Sequence, residues 1–101
     1  MDINQLMKQA QEMEKQLEQA NKQISSMEFV GSASNGLVKV TVNGDNNVLA
    51  IDIQEDIINK EDKEMLQDLI MIATNNAISK ASQSKKEKFG SMASSLGLPK
   101  F

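Results

Sequence analysis

Lys8, Lys15 and Lys22 stand seven residues apart, and on a helix that spacing puts them in one line, with about 10 Å between neighbours. A line of ammonium groups suits a phosphate backbone, because lysine acts as a point charge and requires no particular base beside it. It also suits an ordinary solvated face, on which pairs such as Glu18 and Lys22 contribute about 0.2–0.5 kcal/mol each. A second basic group lies at residues 80–101, where Lys80, Lys85, Lys86, Lys88 and Lys100 are opposed only by Glu87, giving +4. Residues 52–68 are the reverse: Asp52, Glu55, Asp56, Glu61, Asp62, Glu64 and Asp68 against Lys60 and Lys63 give −5. Acids at the start of a helix and lysines at its end complement its dipole without any partner. Charge alone leaves both readings open.

Other chemistries fall away by composition. The 101 residues include no cysteine and no histidine, which removes disulfides, thiolate nucleophiles, imidazole bases and nearly every zinc or haem ligand set. Asp52, Glu55 and Asp56 follow a strand end with neither a positioned electrophile nor a glycine-rich phosphate loop, and read as solvated loop charges. Asn43–Asn47 lacks the alternating acids and closing glutamate of a calcium loop. No enzymatic activity, cofactor or metal is expected. Phe29, Phe89 and Phe101 are the only aromatic residues, too few for a base-stacking platform. All 11 basic residues are lysines, so the bidentate arginine contact to guanine is missing. The net charge is −3. The opening residues carry no basic-then-apolar leader, and no run approaches the roughly 20 apolar residues of a membrane span, so a cytoplasmic location is expected.

The elements that must position these charges follow from periodicity. Ile3, Leu6, Ala10, Met13, Leu17, Ala20, Ile24 and Met27 alternate spacings of three and four without Gly or Pro, which predicts a helix over 3–28 with a continuous apolar seam. Lys8, Lys15 and Lys22 fall opposite that seam. The helix would run nearly 40 Å at about 1.5 Å per residue, whereas a six-residue strand covers about 20 Å. Part of the seam must overhang the chain's own sheet. Strands are predicted at about 29–33, 37–42 and 48–53, with turns at Ser34–Gly36 and Asn43–Asn47, as an antiparallel meander covered on one face. A second helix is predicted over about 60–89, capped by Asn59 or a neighbour and stopped at Gly90. Its residues Met65, Leu66, Leu69, Ile70, Ile72, Ala73 and Ala77 form an arc of about 160° to lie on the sheet. Met71 and Ile78 form a second stripe, and Asn76 reads as a buried amide bonded to backbone. Residues 1–90 form one α+β domain, and 91–101 a mobile tail.

Taken in order, Leu6-Met7-Lys8-Gln9-Ala10-Gln11-Glu12-Met13, Gly36-Leu37-Val38-Lys39-Val40-Thr41-Val42-Asn43-Gly44, and Met65-Leu66-Gln67-Asp68-Leu69-Ile70 leading to Asn75-Asn76-Ala77-Ile78 resemble the YbaB/EbfC family of bacterial nucleoid-associated proteins. The resemblance extends to the tail Leu96-Gly97-Leu98-Pro99. It implies an α-β-β-β-α protomer, a homodimer whose long helices project like tweezers, and DNA binding without catalysis.

The expected function is therefore that of a nucleoid-associated homodimer. It holds double-stranded DNA through Lys8, Lys15, Lys22, Lys80, Lys85, Lys86 and Lys88, with little base readout. Leu6, Met13, Leu17, Ile24, Met71 and Ile78 are the expected dimer contacts, with no membrane or small-molecule partner. The competing reading is a dimeric protein–protein adaptor that uses its helices or the acidic segment 52–68, which the net charge of −3 favours through long-range repulsion from DNA.

Overall fold

The structure, a computed structural model, describes residues 2–95. Its first element is helix α1, Ile3–Ser26. Gln, Glu, Lys, Leu, Met and Ala fill most of it, all good helix formers, and Asp2 caps it by accepting the Asn4 N–H at 2.8 Å. It ends where Met27 turns to extended backbone and Ser26 Oγ donates to the Gln23 carbonyl at 2.9 Å.

Three strands follow: β1 (Glu28–Ala33), β2 (Val38–Asn43) and β3 (Val48–Ile53). They pair antiparallel in the order β1-β2-β3. Ser34 and Asn35 take φ of 49° and 58°, a pair of left-handed residues that matches a tight hairpin to the strand twist. The second turn is built by Asn43, whose side-chain oxygen accepts from the Asp45 and Asn47 amides at 2.9 and 3.1 Å. Two short 3-10 turns, Glu55–Ile57 and Lys60–Asp62, lead into helix α2, Lys63–Ser95.

The core lies between α2 and the first two strands. Val38, Val40 and Val42 are fully buried against Leu69, Ala73, Ala77 and Ala81, with Phe29, Ile53, Leu66, Ile70 and Ile78 around them. Small residues on α2 let the helix sit close to the sheet. The closest approach is at Gly31, where a Cβ would collide with the Ala73 carbonyl and the Ala77 amide nitrogen and lie 2.8 Å from the Ala77 Cα. The molecule measures 70 × 21 × 16 Å, longer than the sheet can account for, because both helices run past it.

Five expectations need correction. The second helix does not stop at Gly90 but continues to Ser95, so the first part of the expected tail is helical, and residues 96–101 of it lie outside the described residues. Glycine ends a helix when it takes a left-handed turn, and Gly90 takes none. Asn59 does not cap α2; its amide donates to the Asp56 carbonyl and to Asp62 Oδ2, both at 3.4 Å, and the chain enters α2 through a 3-10 turn. The arc on α2 is narrower than expected, since Met65 and Ile72 remain 43% and 51% exposed. Asn76 bonds backbone as expected, accepting the Ser32 N–H at 3.3 Å, but it is exposed rather than buried. The stripe of Met71 and Ile78 is divided: Ile78 packs on the core while Met71 is left in solvent.

Because nothing lies within 4 Å of the position a Gly90 Cβ would occupy, Gly90→Ala should stabilise the protein by about 0.5–1 kcal/mol. The midpoint of thermal unfolding should rise by a few degrees. A fall would show that this residue needs a glycine-only backbone.

Candidate nucleic-acid interface

The site begins with how α1 is held. Only its C-terminal end is buried: Ala20 and Ile24 are 4% and 1% exposed, whereas Leu17, Leu6 and Ile3 are 39%, 50% and 74% exposed. The seam leaves the fold progressively toward the N-terminus, as the length mismatch requires. Gly44, in the β2–β3 turn, seats the buried end. A Cβ there would collide with the Ile24 carbonyl and lie 2.6 Å from Ile24 Cγ2, so this glycine serves close approach rather than a left-handed turn. Ser25 Oγ donates to Asp45 Oδ1 at 2.8 Å beside it. The turn that joins β2 to β3 is thereby also the socket that aims the helix. The Asn-Gly-Asp run reads locally as a turn alone, and nothing in it reveals that Ile24 and Ser25 meet it.

Ile24 cannot serve as a dimer contact as expected, because the protomer already buries it. Leu6 and Leu17 are exposed and Met13 is half-buried, so the free part of the seam covers roughly the first two-thirds of the helix.

Lys8, Lys15 and Lys22 are all exposed on the projecting helix. Among the described residues none of them has a hydrogen-bonding or ion-pairing partner, and the anticipated Glu18–Lys22 pair is not formed. Glu12 and Glu18 flank the line on one side and Glu14 on the other, by heptad position. An anion approaching the line meets three cations with carboxylates beside them. This arrangement suits weak, sequence-independent phosphate contact better than tight binding.

The lysines of α2 are less uniform. Lys80 reaches back to the sheet, where its Nζ donates to the Val30 carbonyl at 2.9 Å, so it is engaged inside the protomer. Lys85 is half-buried; Lys86 and Lys88 are exposed. Glu87, among them, accepts from Gln83 Nε2 at 3.5 Å. Lys85 and Lys88 share a helix side, being three apart, while Lys86 lies about 100° from Lys85. The basic end of α2 is a dispersed group, not a line. Among the described residues no helix is long and apolar enough to cross a membrane.

A small sheet carrying two rods longer than itself, one bearing an aligned row of free cations, defines a helix-presenting α+β module. Comparison with known proteins gives the class its family. The YbaB/EbfC DNA-binding family matches residues 1–96, and the chain belongs to it. A nucleoid-associated protein of Clostridium novyi (strain NT) is 39% identical over 98% of this chain and 87% of its own length. One of Desulfotalea psychrophila is 38% identical over 98% of this chain and 93% of its own. The crystal structure of an uncharacterized Helicobacter pylori protein superposes with a TM-score of 0.79 at 25% identity, covering 91% of this chain and 97% of that one.

Proposed function

We propose that this chain is a nucleoid-associated protein of the cytoplasm that binds duplex DNA as a homodimer, through lysine–phosphate contacts with little base readout. The observation that carries the reading is the line of Lys8, Lys15 and Lys22, exposed on a helix that leaves the body and without partners among the described residues. The names of the family and of its relatives support DNA as the ligand. Adjacent lysines are spaced by roughly three base steps of one strand. Lys86 and Lys88, with Lys85 beside them, add contacts from the second helix, and Lys80 contributes only by giving up its bond to Val30. Dimerisation doubles every cluster. Specificity, where there is any, comes from DNA shape and deformability, since the chain has no arginine and few aromatic residues with which to read or stack on bases. The reading assigns a binding role and no catalytic one.

Six lysines, three from each copy, set the salt dependence. With a slope of about −0.9 per phosphate contact, affinity should fall roughly 10³-fold between 50 and 200 mM salt. Fluorescence anisotropy with a short mixed-sequence duplex measures it. Affinity that does not change over that range would overturn the mechanism. An adaptor function is favoured by the exposure of Met71 and Ile72 on α2, 56% and 51%, and it predicts partner capture without such salt-dependent DNA binding.

A further inference from the structure

The two edges of the sheet are treated differently. On the β1 edge, α2 occupies outward-facing backbone groups: Lys80 Nζ donates to the Val30 carbonyl at 2.9 Å, and the Ser32 N–H donates to Asn76 Oδ1 at 3.3 Å. Polar side chains across an edge keep a further strand from pairing there. The β3 edge has no such cover among the described residues. The Gln54 N–H donates to the Leu37 carbonyl at 3.0 Å, which sets the phase of the β2–β3 ladder. Antiparallel strands alternate inward and outward groups, so Ala50, Asp52 and Gln54 face β2 while Ile51 and Ile53 turn their N–H and C=O away from it. Val48, Leu49 and Ile51 remain 47%, 50% and 50% exposed, although Ile51 stands opposite the fully buried Val40.

We propose that this edge takes a second copy of the chain, the two β3 strands running antiparallel about a two-fold axis at Ile51 to make one six-stranded sheet. The proposal rests on the dimeric DNA-binding reading and names the surface that makes the dimer, in place of the α1 seam.

Charge selects both the occupant and the register. Val48–Ile51 carries no ionised residue and no proline, so β3 has none of the usual devices against pairing. Asp52 is the one ionised residue of the strand, and Lys39 stands opposite it on β2. With the axis at Ile51, the partner's Ala50 lies on its other side, so no like charges oppose one another. Leu49 then meets the partner's Ile53, which joins the apolar strips of the two copies. Moving the axis to Ile53 would set Glu55 against Ile51, and moving it to Leu49 would set Asp45 against Ile53. Self-pairing of one patch about a two-fold axis also closes the assembly at two copies.

The chain contains no cysteine, so Ile51→Cys introduces one thiol. Residues opposed in a hydrogen-bonded antiparallel pair have Cα atoms about 5.5 Å apart, within the disulfide range of about 4.4–6.8 Å. Mild oxidation of the full chain at micromolar concentration should cross-link most Ile51→Cys protein as a dimer, and leave Leu17→Cys and Lys39→Cys uncross-linked on a non-reducing gel. Ile51→Lys, an exchange at a half-exposed side chain, should sediment as a folded single copy. Cross-linking through Leu17→Cys but not Ile51→Cys would overturn the proposal, as would an Ile51→Lys protein that stays dimeric. DNA retardation by the same oxidised sample separates the two ideas. Cross-linked protein that ignores DNA upholds the surface and refutes the DNA reading, whereas DNA binding without the cross-link does the reverse.

Discussion

The combined variant Lys8→Gln, Lys15→Gln, Lys22→Gln is expected to bind a short duplex at least about 10³-fold more weakly than the unaltered chain at 0.1 M salt, with the log–log salt slope shallower by about 5. Each dimer is deprived of six aligned cations, and every phosphate left without its lysine takes about 0.9 from the slope. Glutamine is nearly as good a helix former as lysine, and the three side chains are exposed, so α1 and its socket at Gly44 should be unaffected; circular dichroism checks this. Net charge is separated from placement by a control, Lys60→Gln with Lys63→Gln. These lysines sit beside the acidic segment, in and just after a 3-10 turn, and their replacement should change affinity by only about threefold through the long-range field. If the two variants weakened binding equally, the line of lysines would have no special part. If the triple variant kept both its affinity and its slope, phosphate contact by α1 would be refuted.

Gly31→Ala should bring the largest loss of stability, about 3 kcal/mol or more, since small-to-large changes in a packed interior cost about 1–3 kcal/mol when neighbours can yield. Here they cannot: the added methyl meets the backbone of α2 at Ala73 and Ala77, so the whole helix must lift from β1. Lifting it also strains the bonds from Asn76 and Lys80 to the edge of β1. For a domain of this size the thermal midpoint should fall by about 12 °C or more, a large share of the roughly 5–15 kcal/mol that holds an ordinary domain together. Urea unfolding followed by circular dichroism measures it. Gly36→Ala is the comparison: its φ is +88° with only the Lys39 Cε nearby at 3.2 Å, so its cost is the local one of about 1–2 kcal/mol. A Gly31→Ala protein as stable as the original would mean that helix and sheet are not packed this closely.

Local pattern made much of the fold legible. The unbroken seam from Ile3 to Met27 and the alternation of Val38, Val40 and Val42 report the periods of helix and strand directly, since residues a few positions apart decide them. The fold class and strand order followed, as did the line of lysines opposite the seam. Distant contacts were not legible. Ile24 reads as one more seam residue until the β2–β3 turn closes over it, and Lys80 reads as one more cation until Val30, fifty residues away, accepts its proton. Gly90 reads as a stop because composition changes there, yet nothing in space requires the helix to end.

The amino-acid order by itself determined the helices, the strands, the segregation of charge and the family's α-β-β-β-α plan, because hydrophobic period and propensity act over single turns and single strands. Which apolar residues are buried, which glycines admit a neighbouring backbone, which lysines stay free and which sheet edge lies open were decided only by the tertiary structure. Those properties depend on what α2 covers when it crosses β1 and β2 and stops short of β3, and steric exclusion between segments far apart in the chain leaves no periodic mark along it.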